Sequence, residues 1–158
     1  MNGICTAQQS DFDALVAVWE ASVRATHDFL RESDIAGLRP RIRDEYLGAV
    51  ELRVFKDASG RILGFVGVAD GKVEMLFIAP QARGQGIGKQ LLRHAVEQMG
   101  ATALDVNEQN PQAVGFYQHQ GFVIVGRSTV DGQGNPFPLL HMRLDAPTKN
   151  PATWAGPG

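Results

Sequence analysis

Cysteine is nearly absent from this chain: Cys5 is the only one among 158 residues. A single thiol cannot close an intramolecular disulfide, and no cluster of cysteine and histidine has the spacing of a zinc site, so no metal is expected. No apolar run approaches the roughly 20 residues that a membrane-spanning helix needs. A bias of charge is lacking too. Fifteen Lys+Arg stand against 17 Asp+Glu, a net charge of −2, which draws the chain neither to nucleic acid nor to an anionic membrane. The opening residues, MNGICTAQQSDFD, have no basic stretch followed by a long apolar one, so no secretory signal is expected and the expected compartment is cytoplasmic. What remains is 44% hydrophobic and 20% charged, the composition of one globular domain with a sizeable core.

The pattern of apolar residues predicts an α/β chain. A short strand over Gly3 to Ala7 precedes a helix in which Phe12, Leu15, Val16, Trp19 and Val23 share a face, with Ser10 as N-cap and Asp13 as its capping-box partner. Cys5, in that strand, reads as a small core residue. From Thr26 to Leu47 the pattern predicts a loop carrying His27, Asp28 and Phe29, then a second helix broken near Gly37 and Pro40. Three strands follow, Glu51 to Lys56, Ile62 to Ala69 and Lys72 to Ile78. Short turns at Asp57-Ala58-Ser59-Gly60 and Asp70-Gly71 join them, which makes them antiparallel neighbours. Next come a glycine-rich loop, a helix from about Ile87 to Met99 ended by Gly100, and a strand from Thr102 to Asn107 that should run parallel to its predecessor. Asn110-Pro111 has the form of an N-cap and first helical residue, and that helix stops near Gly121. Strands over Phe122 to Val130 and Phe137 to Leu144 close the chain. The last stretch, 146–158, is rich in proline and reads as a tail outside the domain formed by residues 1–145.

The loop Arg83-Gly84-Gln85-Gly86-Ile87-Gly88-Lys89 lies between a strand and a helix. The first turn of a helix has N–H groups without intrahelical partners and a positive dipole end, so it attracts anions. Glycines remove the Cβ atoms that would hold an anion off the backbone. A phosphate-binding P-loop would need GxxxxGK followed by Ser or Thr; here three residues separate Gly84 from Gly88, and Gln90 follows Lys89. A dinucleotide fold would need GxGxxG in the first βαβ unit of a parallel sheet; here the third glycine is one position early, and three antiparallel strands come first.

Arg83-x-x-Gly86-x-Gly88 resembles the acyl-coenzyme A motif (Q/R)xxGx(G/A) of the GNAT superfamily of N-acetyltransferases. Asn110-x-x-Ala113-x-x-Phe116-Tyr117-x-x-x-Gly121-Phe122 is similar to that family's downstream motif, and the order of elements matches. The resemblance covers the chain to about Leu144. It implies a GNAT-like fold: a single domain with a mixed sheet of about seven strands, flanking helices, and a splay between two central parallel strands. It implies acetyl-coenzyme A as cosubstrate and an amine as acceptor, either a small molecule or a protein. Leu76, Phe77 and Ile78 would pair through their backbone with the pantetheine arm. The backbone of Arg83, Gly84, Gln85, Gly86, Ile87, Gly88 and Lys89 would hold the pyrophosphate, and Asn110 would contact the cofactor while capping its helix. Monomer and homodimer both remain open.

Acetyl transfer from a thioester to an amine makes three demands. The ammonium must lose a proton, the developing oxyanion needs donors, and the departing thiolate gains from a proton. Tyr117 matches the family's acid position; a phenol with a pKa of about 10 is protonated at neutral pH. For the base, Asp105 and Glu74 are both candidates, acting directly or through water. Asp105 faces away from Leu104 and Val106, with Asn107 on its own face, and some family members carry an acidic base at its position. His141, in the last apolar strand, reads as a satisfied sheet histidine. A non-catalytic acyl-coenzyme A-binding module and a nucleotide-binding oxidoreductase domain are the competing readings.

Overall fold

The structure, a computed structural model, describes residues 3–26, 30–132 and 134–145. Seven strands and four α-helices are distributed over two compact units, one running to Thr102 and the other starting at Ala103. The segment His27, Asp28, Phe29 and the expected tail lie outside the described residues.

The first unit is a four-stranded antiparallel meander: β1 (Gly3–Thr6), β2 (Glu51–Lys56), β3 (Ile62–Ala69) and β4 (Lys72–Ile78). Both turns are where the sequence places them. Asp70 and Gly71 carry φ values of 51° and 77° between paired Ala69 and Lys72, the two positive values that a tight primed hairpin turn requires. In the other turn, Asp57 Oδ1 accepts from the backbone of Ser59 and Arg61 and from the Ser59 hydroxyl.

Helices cover both faces of this sheet. On one face α1 (Phe12–Thr26) and α2 (Glu32–Arg41) bring Leu15, Val16, Trp19, Val23 and Ile35 onto Leu52, Val54, Phe65 and Met75. Leu15, Val54 and Phe65 are fully buried and Trp19 is 3% exposed; each such side chain stabilises the fold by roughly 1.5–3 kcal/mol through removal from water. On the other face α3 (Ile87–Met99) buries Ile87, Leu91, Leu92 and Ala95. It approaches closely at Gly64, where a Cβ would fall 2.7 Å from Ile78 Cδ1 and 3.3 Å from Leu91 Cδ1.

Three local expectations are corrected. The start of α1 is capped two residues earlier than Ser10: the Gln8 amide donates to Asp11 Oδ2 at 2.9 Å, and a 3₁₀ turn over Gln9–Asp11 leads into the helix. The second helix is unbroken at Gly37 and contains Pro40. Pro40 forfeits only the bond to the Ala36 carbonyl and does not end the helix; the irregularity comes after it, as a π-helical turn over Ile42–Tyr46. Cys5 is exposed rather than in the core.

The second unit is an antiparallel sheet in which β7 (Leu139–Leu144) lies between β5 (Ala103–Asn107) and β6 (Phe122–Ser128). Its helix α4 (Pro111–His119) opens as expected, with Asn110 Oδ1 accepting from the Ala113 amide at 3.2 Å. β6 and β7 are shorter than expected, since the turn-rich segment between them consumes residues at both inner ends. Among the described residues no helix is long and apolar enough to cross a membrane.

Candidate active site

The loop between β4 and α3 has the geometry the sequence asks for. A 3₁₀ turn over Pro80–Ala82 ends at Arg83, and Gly84 and Gly86 take φ values of 83° and 78°. Gly86 is the N-cap of α3, and the helix's first bond runs from Gln90 N–H to its carbonyl. The amides of Ile87, Gly88 and Lys89 therefore have no intrahelical acceptor. At Gly84 and Gly86 an added Cβ would meet nothing within 4 Å: both backbones border open space. Arg83, Gly84, Gln85, Gly86 and Lys89 are exposed, while the Ile87 side chain is in the core, so Ile87 can offer a ligand only its amide. Left-handed glycines beside a helix N-terminus, with two cations exposed alongside, make a loop whose free donors and charge suit an anion.

Upstream in the same unit, Leu76, Phe77 and Ile78 pair with Val66, Phe65 and Gly64 of β3. All three are partly exposed, and Phe77 packs its ring 5.8 Å from that of Phe65. The β3–β4 register skips at Glu74: Gly67 pairs with Met75 and Val68 with Val73. Glu74 is thus the extra residue of a β-bulge, its side chain exposed between buried Val73 and Met75. Bulges re-aim side chains, and this one turns a carboxylate outward.

The second unit holds Asn110, Tyr117 and Asp105. Tyr117 is a half-buried residue on α4 whose ring meets Phe116 and Phe122 edge-on, at 5.3 and 6.2 Å between centroids. Burial of its phenol raises its pKa above the usual value, because a phenolate loses more on leaving water than a phenol does. Asp105 has the orientation expected of it, opposite buried Leu104 and Val106. Its Oδ1 lies 2.6 Å from Nδ1 of His141 on β7, and His141 Nε2 lies 2.7 Å from Ser128 Oγ on β6. Beyond this row, Arg127 makes a two-pronged ion pair with Glu108 at 2.7 and 2.9 Å, which lowers the carboxyl pKa of Glu108.

Sequence reasoning recognised Asp105 but not its partners. His141 is indeed satisfied in the sheet, yet its partners are an acid and a hydroxyl in one line. The signal was the conjunction of a histidine in the last strand and a polar end to β6; the register that aligns them is not visible in one dimension. Among the described residues no group of three or more His, Cys, Asp and Glu is gathered as a metal site.

Comparison with known proteins addresses the chain as a whole. Residues 28–146 match the acetyltransferase (GNAT) domain family. The chain is 41% identical over 142 residues to the peptidyl-lysine N-acetyltransferase YjaB of Salmonella typhimurium, covering 90% of this chain and 97% of that relative. It is 34% identical to the peptidyl-lysine N-acetyltransferase YiaC of Escherichia coli, covering 75% of this chain and 82% of that one. The solution structure of apo-form YjaB from Escherichia coli matches with a TM-score of 0.83 at 38% identity, over 91% of this chain and 97% of that one. The α/β fold expected from the sequence is the fold of these relatives, and both motifs fall inside the matched span. The chain accordingly belongs to the GNAT family of N-acetyltransferases.

Proposed function

We propose that this N-acetyltransferase uses acetyl-coenzyme A to acetylate the side-chain amine of lysine in a protein or peptide, by direct attack of the amine on the thioester. The observation that carries the reading is the cradle before α3: left-handed Gly84 and Gly86 facing open space, with the free amides of the helix's first turn behind them. The family's use of acetyl-coenzyme A and the peptidyl-lysine acetyltransferase activity named for relatives 34–41% identical over most of the chain support donor and acceptor. A small-molecule amine is the alternative acceptor. The acetyltransferase domain is assigned to residues 1–145, with 146–158 outside it.

Acetyl-coenzyme A supplies an acyl group already activated as a thioester. The chain's own residues do the rest. The amides from Gly84 to Lys89 hold the diphosphate, the Arg83 amide being used by the Pro80 carbonyl, and Lys89 and Arg83 add charge to that grip. The backbone of Leu76, Phe77 and Ile78 pairs with the pantetheine arm, and Asn110 contributes its side-chain N–H donors, because its Oδ1 alone is used by the helix cap. Tyr117 donates a proton to the departing sulfur; its raised pKa keeps that proton in place at neutral and mildly alkaline pH. Asp105, Glu74 and solvent are the bases that the sequence offers. Glu74 is exposed on its bulge, whereas Asp105 is tied to His141.

Calorimetry with acetyl-coenzyme A and, as a control, NAD(H) tests the donor. Mass spectrometry of a lysine-containing peptide and of free amines, incubated with labelled acetyl-coenzyme A, tests the acceptor. Association with acetyl-coenzyme A alone and label on the lysine side chain are expected. No heat with acetyl-coenzyme A overturns the donor; label on free amines only overturns the peptide acceptor.

A further inference from the structure

The row Asp105–His141–Ser128 is built, not incidental. Asp105 on β5 pairs directly with His141 on β7, and His141 pairs directly with Gly126 on β6. The last pairing depends on an irregularity. Ile124 pairs with Met142, the register then skips Val125, and Gly126 stands opposite His141. In an unbroken register Val125 would stand there, and Ser128 would fall beyond the end of β7. The bulge puts a glycine under the imidazole instead; a Cβ at Gly126 would already lie 3.4 Å from His141 Cδ2. It also puts Ser128 opposite Leu139, one diagonal step from His141 and within 2.7 Å of its Nε2.

For a neutral ring, the contact with Asp105 selects one tautomer. An ionised carboxylate only accepts, so Nδ1 of the neutral ring carries the hydrogen toward Asp105 and Nε2 is the acceptor. The Ser128 hydroxyl then donates to Nε2 at 2.7 Å, which leaves its oxygen free to accept a hydrogen bond. The row is open to an incoming group: the His141 side chain is 37% exposed, that of Asp105 24%, and Ser128 is half-buried. Tyr117 meets Phe122 edge-on, and strand alternation puts Phe122 on the face of Met142, opposite that of His141.

We propose that Asp105, His141 and Ser128 form a proton relay that deprotonates the acceptor amine, with His141 rather than either carboxylate as the final proton acceptor. This rests on the acetyl-transfer reading above. The acceptor ammonium donates a hydrogen bond to Ser128 Oγ. As that proton moves to Oγ, the proton already on Oγ moves to His141 Nε2. One N–H bond of the ammonium breaks, one forms on the imidazole, and Ser128 ends neutral. The amine emerges with a lone pair, and the imidazolium is held by the Asp105 carboxylate. Asp105 is a positioning residue here. The charged groups facing the imidazole among the described residues of this unit are Asp105 on β5 and, two positions along β7 on the same face, Arg143; the residues that β6 pairs on this face, Val123, Gly126 and Ser128, carry no charge.

The test compares kcat and KM across pH for acetylation of a lysine peptide by wild type, His141→Gln, Asp105→Asn, Ser128→Ala and Ser128→Thr. Thermal melting and acetyl-coenzyme A calorimetry serve as controls for each. The relay requires that His141→Gln lower kcat about a hundredfold, within the range of general-base catalysis, and abolish the acidic limb of the wild-type profile. Ser128→Ala should lower kcat about tenfold and Ser128→Thr, which restores a hydroxyl, should recover most of it. Coenzyme affinity should not change. Should His141→Gln fail to fold, the Ser128 pair carries the test. The relay is overturned if Ser128→Ala matches wild type, if the acidic limb survives in a folded His141→Gln, or if mass spectrometry traps an acetyl group on Ser128, which would make it a nucleophile. Those outcomes leave acetyl transfer standing. A wild-type protein that binds acetyl-coenzyme A and acetylates no amine overturns the transfer reading and the relay together.

Discussion

Tyr117 illustrates how one residue's surroundings decide its chemistry. A solvent-exposed phenol begins to lose its proton near pH 10. Set on α4 between Phe116 and Phe122, Tyr117 holds its proton to higher pH, so its phenol stays protonated at neutral and mildly alkaline pH. Tyr117→Phe keeps the ring and its edge-on contacts and removes only the hydroxyl. We expect it to melt like wild type and to bind acetyl-coenzyme A with unchanged affinity, while kcat falls at least about tenfold. Turnover equal to wild type at every pH in steady-state assays would take Tyr117 out of the reaction. For Asp105 the surroundings argue otherwise. A carboxylate already accepting from an imidazole at 2.6 Å is better suited to orient that ring than to collect a proton.

At the scale of elements, the N-terminus of α3 combines a left-handed backbone with open space around it. Alanine in the left-handed conformation costs roughly 1–2 kcal/mol, and Gly86→Ala would incur that cost without any clash, because no protein atom lies within 4 Å of the new Cβ. The methyl group would project into the space assigned to the diphosphate. We therefore expect Gly86→Ala to lower the melting temperature by only a few degrees, but to weaken acetyl-coenzyme A binding at least tenfold by calorimetry. Equal affinity would place the coenzyme elsewhere. The β-bulges at Glu74 and Val125 are elements of the same kind: one extra residue redirects a carboxylate in the first case and aligns a hydroxyl with a histidine in the second.

At the scale of the whole molecule, a charge network joins the helices that cover the first sheet. Glu20 on α1 accepts from Arg39 at 2.7 Å and Arg24 at 3.0 Å, and Arg24 also bonds Glu32. Hydrogen bonds from Arg39 and then Arg24 pull the Glu20 pKa from 4.5 down to about 2. Its folded-state pKa lies below the unfolded one, so the unfolded state binds the proton first on acidification. The stabilisation is complete above about pH 4.5 and is lost as pH falls toward 2. Glu20→Gln should flatten that part of the melting-temperature profile and leave the profile's shape above pH 6 intact; parallel wild-type and variant profiles from pH 6 to 3 would refute it. The effect is modest, since the Arg24 and Arg39 side chains are 43% exposed and the pair is screened by solvent. The sequence alone determined the α/β element order, the antiparallel meander, the glycine cradle, the Asn110 cap and the position of Tyr117, because each rests on short-range periodicity or on a residue with one conformational talent. Tertiary structure alone decided that α2 passes through Pro40, that Cys5 faces outward, and that Asp105, His141 and Ser128 form a line. Those outcomes depend on packing and strand register between residues as many as 36 positions apart, and a one-residue slip, invisible to local pattern, reverses which face every side chain takes.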